Sequence, residues 1–276
     1  MKKLLAFTVM CFAVLSGMAQ NEKTVLFVSL FKNSTSKSDV IAKNLRNEIM
    51  AGIMAKNRVT VVDATTLEGL PTAKNELLKA LNGKGIHYLL EGTVNTIDQK
   101  TDKDSKGNTQ YVAEINYTLT LTDTETGATK STDTYKDSWH VGDTSDEAIL
   151  KAIEKAKNRM AKFVDDKFKL EATIKALDQI DEKKGAVKTC YITIGSEAGI
   201  AKGQIFEVFA NVEVAGEQVQ KKIAEVRAKE VMSPTLTLCD VKSGGAEIKK
   251  NFDKQITLTV ISRATKDPFG VNGILK

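Results

Sequence analysis

Histidine and cysteine are scarce in this sequence: only His87 and His140, and Cys11, Cys190 and Cys239, occur among 276 residues. A zinc centre built from clustered imidazoles and thiolates is hard to assemble from so few donors, set so far apart. Proline is equally rare, at three residues, which excludes collagen-like and mucin-like chains. With 42% hydrophobic and 27% charged residues, the composition is that of a globular protein and not of a wholly disordered one. The length suits one large domain or two modest ones.

Long apolar runs are also missing, apart from one at the start. Lys2 and Lys3 precede an apolar run from Leu4 to Leu15, and Ser16-Gly17-Met18-Ala19 supplies small residues before a cut after Ala19. This is the pattern of a secretory signal peptide, residues 1–19. The run is about half of the ~20 residues a membrane-spanning helix needs. A lipid anchor on Cys11 is disfavoured. A lipoprotein signal sets a small residue before a cysteine at the end of the run, whereas Met10 precedes Cys11 and apolar residues follow it. The mature chain is therefore expected to be exported without a helical anchor.

Cleavage lowers the formal charge from +5 to +3. Residues 21–180 are neutral, with 23 basic and 23 acidic side chains, and residues 181–276 carry 15 basic and 12 acidic ones. So mild a surplus is a solvated surface, not the basic stripe that nucleic-acid binding requires. No nucleic-acid partner is expected.

The pattern of elements divides near residue 180. Residues 24–31 form a continuous apolar run, expected to be a central strand buried on both faces. A helix follows, with Ile41, Leu45, Ile49 and Ile53 recurring every four residues and Val40, Met50 and Met54 widening the stripe. Residues 58–63 predict a second strand, and a second helix runs from Thr72 to Leu81, ended by Gly83 and Gly85. The order β-α-β-α favours a parallel or mixed sheet. Ile86 to Ile97 is a long strand. From Tyr111 to Thr122 the residues alternate, with Tyr111, Ala113, Ile115, Tyr117, Leu119 and Leu121 on one face, as in an antiparallel strand with one wet face. Ala128 to Trp139 is weakly patterned and suits an edge. Asp143-Thr144-Ser145 caps a long helix bearing Ile149, Ile153, Ala156, Met160, Phe163, Val164 and Phe168 on one face.

The charged stretch from Asp178 to Lys184 marks the boundary, and residues 176–184 are expected to be a linker. Beyond them, short strands over 187–194, 205–214, 219–231, 236–241 and 255–261, punctuated by glycine turns, predict a small β-barrel over 185–263. A tail, 264–276, ends the chain. The fold class expected is α+β: a mixed sheet with helices on it over 20–175, then a small all-β barrel of SH3 or OB type.

These elements carry a resemblance. Residues 25–33, then Arg58-Val59-Thr60-Val61-Val62, then residues 85–94 and the segment 119–127, in the order strand, helix, strand, helix, meander, long helix, resemble the CsgG/LpoB-type periplasmic domain. That family has a small residue and Asp where this chain has Ile86-His87. The glycine-spaced segment from Gly195 to Val208 resembles the small barrel that follows a CsgG-like domain in FlgT-type flagellar-assembly proteins. The resemblance implies a non-catalytic role in the periplasm or at the outer membrane: curli-type assembly or transport, activation of a penicillin-binding protein, or assembly of a surface structure. It implies cell-envelope protein partners such as a peptidoglycan synthase or secretion and assembly machinery. Homo-oligomers and peripheral membrane association also come with it. An oligomeric outer-membrane secretion channel is a second reading, since the strand at Tyr111–Thr122 has the length and alternation of a membrane strand. Against it, Ala128 to Lys136 is mostly Thr, Ser, Asp and Lys, so a soluble sheet packed on helices is favoured. An unrecognised enzyme or small-ligand binder is a third reading, and would need a pocket with converging polar groups.

No catalytic, cofactor-binding or metal-binding residue is assigned. His87 and His140 stand apart from other ligands, and no serine occupies a nucleophile elbow. Asn82-Gly83-Lys84-Gly85 is a helix end and not a phosphate loop. Asp102-x-Asp104-x-Lys106-Gly107 begins like a calcium loop, but Lys106 and Ala113 fall where oxygen ligands are needed, so a hairpin tip is the better account. Cys190 and Cys239 both fall in barrel strands. An oxidising compartment would allow a disulfide, while two buried thiols acting as small hydrophobes are slightly favoured. Tyr135, Trp139 and His140 lie beside the weak edge strand. They could hold a partner, or Trp139 could plug the junction with the long helix, which a lone tryptophan favours.

Overall fold

The computed structural model describes residues 23–263, the side chains of Ser138, Trp139 and Val214 excepted. The expected signal peptide, Cys11 and the tail from Ala264 lie outside the described residues. The first half consists of β1 (Thr24–Val28), β2 (Lys32–Asn33), α1 (Asp39–Met54), β3 (Val59–Asp63), α2 (Lys74–Asn82), β4 (Tyr88–Lys103), β5 (Thr109–Asp123), β6 (Thr129–Gly142) and α3 (Ser145–Lys167). The strands form one mixed sheet in the order β3-β1-β4-β5-β6, with β2 adding to β4. β1 is parallel to both neighbours, and β4, β5 and β6 form an antiparallel meander.

Burial on both faces explains the apolar run of β1. Leu26 and Val28 face the core under α1 and α3, while Phe27 faces the smaller core under α2. The run stops being strand at Val28, three residues before the sequence predicts. Leu30 stands out into solvent, and the Phe31 ring lies against β4 at Gly92, where any Cβ would come within 2.5 Å of it. The stripe on α1 is narrower than expected, for Ala42, Leu45, Ile49 and Ile53 are buried but Val40 and Met54 are exposed. α3 begins as the sequence predicts: Thr144 accepts a hydrogen bond from the Glu147 amide, and Glu147 accepts one from the Asp143 amide. Its predicted apolar residues are all buried against the sheet and α1.

The second half is a closed antiparallel barrel in the order β10-β13-β12-β11-β14-β7. Its elements are β7 (Glu171–Leu177), β8 (Ile180–Asp181), β9 (Ala186–Val187), β10 (Thr189–Ile192), β11 (Ile205–Val214), β12 (Glu217–Ser233), β13 (Leu236–Ser243), α4 (Gly245–Asp253) and β14 (Leu258–Ser262). The barrel has six strands where five were expected. The extra one, β7, directly follows α3 with no glycine or proline to announce it, and pairs with both β10 and β14. The barrel therefore starts ahead of the stretch 176–184 expected to be a linker, and within that stretch β8 pairs with β9 as a short hairpin. α4 was read as a glycine turn. It closes the barrel with Ile248, which is fully buried in the barrel core.

The two halves touch. Gly199 has a positive φ of 71° and packs so closely on the turn after α1 that a Cβ would lie 2.4 Å from the Lys56 carbonyl oxygen. Within the first half, Gly52 plays the same part for α1 against α3, where a Cβ would lie 2.4 Å from the Lys157 carbonyl oxygen. At an open helix position Gly→Ala is stabilising by about 1 kcal/mol. Here Gly52→Ala is expected to have the opposite sign and cost about 1–3 kcal/mol through overpacking. Urea denaturation of the two proteins checks the sign.

Candidate functional site

In open α/β sheets ligands bind beyond the carboxyl ends of strands, where successive crossovers go to opposite faces. That point lies here between β1 and β4, since α1 and α2 cover opposite faces. Beside it, an arginine of the chain bridges the carboxyl ends of β1 and β3. Arg46, from α1 and 3% exposed, donates from Nε to the Ser29 carbonyl (2.7 Å) and from Nη2 to the Val28 carbonyl (3.0 Å), and it pairs with Asp63 at the end of β3 (2.5 Å). The hydrogen bond from Arg46 holds the Asp63 carboxyl down at about 2, with help from the amide and hydroxyl of Thr65. The carboxyl ends of β1 and β3 are thus held by a structural clamp.

The residues singled out beside the edge strand do not form one exposed group. Tyr135 turns inward, its ring stacked on that of buried Tyr117 with centroids 5.2 Å apart. Burial pushes both phenols up. His140 is half-buried opposite Ala113, and burial lowers its pKa. The Trp139 side chain lies outside the description. Between Asp137 and His140 the strand carries one more residue than β5 does from Ala113 to Ile115, a bulge that re-aims this stretch. Buried Asp137 there pairs with Arg159 of α3. His87 is structural: its Nδ1 accepts the Val25 amide at 2.9 Å.

Cys190 and Cys239 are brought together, as direct partners across β10 and β13. Both are fully buried and present as free thiols. The Val241 amide donates to the Lys188 carbonyl at 2.8 Å. Alternation then puts Cys190 and Cys239 in a hydrogen-bonded pair, whose Cβ atoms are normally about 4.5–5.5 Å apart, wider than the ~3.8 Å of a disulfide. Burial also pushes the Cys190 thiol up to about 12, which leaves little thiolate for exchange. The mass of the purified protein, measured by intact mass spectrometry, is expected to be the same with and without reduction. A gain of about 2 Da on reduction would instead report a disulfide.

A concave surface lies between sheet and barrel, a cleft of about 530 Å³. Its wall on the sheet side is the amino ends of β1, β3 and β4, with Lys23, Arg58 and Tyr88. The end of α3 supplies Phe168, and the barrel supplies Leu170, Ile194 and Ala198. The Phe168 ring meets Tyr88 edge-on at 5.6 Å. Lys130 bonds the Tyr88 hydroxyl (2.9 Å) and stands 4.4 Å from the ring centroid, a cation–π contact.

Under this cleft sits a buried charge cluster that the sequence reading missed. Arg58 Nη1 lies 2.9 Å from Asp165 Oδ1 and donates to the Phe168 carbonyl at 3.2 Å, while Lys56 approaches Asp165 Oδ2 at 3.2 Å. Desolvation lowers the Arg58 pKa against the opposing pull of Asp165. Arg58 Nε and Nη2 have no hydrogen-bond partner among the described residues. The one sequence signal is Asp165 itself, a carboxylate beside Phe163 and Val164 of α3 and the Phe168 that follows it. Asp165→Asn leaves the guanidinium buried and uncompensated, so it is expected to cost about 3–5 kcal/mol, read as a lower denaturation midpoint.

Among the described residues no group of three or more His, Cys, Asp or Glu could hold a metal ion, and no helix is long and apolar enough to cross a membrane. No family model matches the sequence, and no curated protein matches it. Among solved structures, the chain is similar to the PelC dodecamer from Paraburkholderia phytofirmans, at 17% identity over 50% of this chain and 87% of that one, with a TM-score of 0.34. It is also similar to the lipoprotein GNA1162 from Neisseria meningitidis, at 12% identity over 42% and 80%, TM-score 0.31. The LpoB C-terminal domain from Escherichia coli is similar at 13% identity over 41% and 81%, TM-score 0.28. The likeness is distant and spans about half of this chain, which is a mixed sheet with helices followed by a closed six-stranded barrel.

Proposed function

We propose that this protein is an exported, non-enzymatic cell-envelope adaptor that acts by docking another protein. The observation that carries this reading is the open edge of the sheet. β6 runs for 14 residues and, among the described residues, pairs with no strand but β5, so apart from the Lys136 and Val141 carbonyls, which accept from Arg159 and Lys151 of α3, the backbone donors and acceptors on its far side are available to a partner strand. The other sheet edge, β3, is only five residues long.

The face beside that edge suits hydrogen bonding more than apolar contact. α1 and α3 cover one face of the meander, and the opposite face presents a polar ladder. Asn95 donates to the Thr118 hydroxyl (2.9 Å), which lies 3.0 Å from the Thr134 hydroxyl, with Thr132 and Lys136 exposed on either side. A soluble edge of this kind favours strand addition over membrane insertion, because a lipid-facing strand needs an apolar outer face. The signal-peptide pattern of the first nineteen residues supports export.

Photo-crosslinking residues placed singly at Thr132, Thr134 and Lys136 in the native cell are expected to yield one discrete adduct with another envelope protein. The same probe at Glu182, on the barrel hairpin, is expected to yield none. Adducts from Glu182 alone would move the docking surface to the barrel. Absence of adducts at every position, with release of the protein by osmotic shock, would overturn the adaptor reading.

A further inference from the structure

We propose that the cleft between sheet and barrel is a binding site for a small amphiphilic anion, a ligand with one carboxylate or phosphate group on a short apolar body. The inference is separate from the docking reading, which places a protein along the β6 edge; the cleft shares with that strand only Lys130, near its start, and Asp133, which holds Lys167.

Charge decides the polar half of such a ligand. Five cationic and two anionic side chains line the cleft. Lys167 is held by Asp133, Arg58 by Asp165, and Asp166 is engaged by Lys162. That leaves Lys23, Lys130 and Lys169, none of them in an ion pair among the described residues, facing a single such carboxylate, Glu171. Lys23 donates to the Asn57 amide oxygen (2.8 Å) and Lys130 to the Tyr88 hydroxyl. Each of these two bonds uses one of three ammonium donors, so both lysines keep donors for an anion. The buried guanidinium of Arg58, paired with Asp165, forms the floor. It is 4% exposed, and its Nε and Nη2 lack a hydrogen-bond partner among the described residues.

Apolar surface decides the other half. Phe168, Leu170 and Ile194, each more than nine-tenths buried, and the half-buried Ala198 line the same cleft, and Tyr88 is held in place by Phe168 beside it and Lys130 above it. About 530 Å³ falls within the usual range for small-ligand pockets, and a few polar groups converging on an apolar wall are the usual recipe for one. The walls come from both halves of the protein, which approach closely where Gly199 rests on the turn after α1.

Titration with octyl phosphate and octanoate, below their micellar concentrations and followed by heteronuclear NMR, tests the inference on the whole mature protein. Saturable shifts at Tyr88, Lys130, Ile194 and Ala198 are expected, with octylammonium producing none. The double variant Lys130→Glu/Lys169→Glu is expected to weaken binding by about tenfold or more, while Lys221→Glu on the distant β11–β12 ribbon leaves it unchanged. The milder Lys23→Gln, which keeps the fold's ion pairs, is expected to weaken it about threefold. Flotation with phosphatidylglycerol vesicles separates the sources. Lysine-dependent vesicle binding would support the site and assign its anion to a lipid headgroup. Equal binding of octylammonium, shifts elsewhere on the surface, or affinity indifferent to both lysine variants would overturn the proposal.

Discussion

Arg58 opens β3 from the turn after α1, and Asp165 sits two residues before the end of α3, 107 positions later in the chain. Their pairing takes place almost out of water, with Lys56 as a second cation and the Phe168 carbonyl as a further acceptor. Such a pair gives little net stability, because desolvation offsets most of the Coulomb attraction. What it fixes is position. α3 must end where its last turn meets the start of β3, and the chain must leave towards the barrel at Phe168–Leu170. The ring of Phe168 then packs on Tyr88 and Phe163, and the first barrel strand starts beside the amino ends of the sheet.

From that constraint the rest of the arrangement follows. The turn that carries Lys56 and Asn57 is the same one on which Gly199 of the barrel rests. One small region therefore binds α1, β3, α3 and the barrel together, and the cleft opens beside it. The carboxyl ends of β1 and β3, where an α/β protein commonly holds a ligand, are closed by Arg46 and Asp63. Concavity has moved to the opposite end of the sheet, where a second domain supplies a wall. The edge of β6 proposed for docking starts at this cleft with Lys130 and runs away from it to Gly142.

The two thiols show how a pairing can be physically near and still unreactive. Register places Cys190 opposite Cys239, yet the hydrogen-bonded class of that pair sets the side chains wide, and burial suppresses the thiolate. They fill barrel core as small apolar groups. Tyr135 shows the same lesson for the edge strand. It looks exposed in a run of Thr, Ser and Asp, but the alternation of β6 turns it onto Tyr117.

Periodicity by itself determined most of the fold. The apolar run of β1, the four-residue spacing in α1, the alternation of β5, and the capped stripe of α3 each follow from which faces must be dry, and that is written locally. β7 and α4 were not legible, because a short strand that continues straight from a helix, and a helix begun by two glycines, carry no local signal. Their identity comes from pairing partners, β10 and β14, and from the open end of the barrel that Ile248 fills. The cleft and its charge cluster were decided only in three dimensions. Arg58 and Asp165 are ordinary charged residues in sequence, and only the crossing of α3 over the start of β3 takes both out of water and gives them to each other.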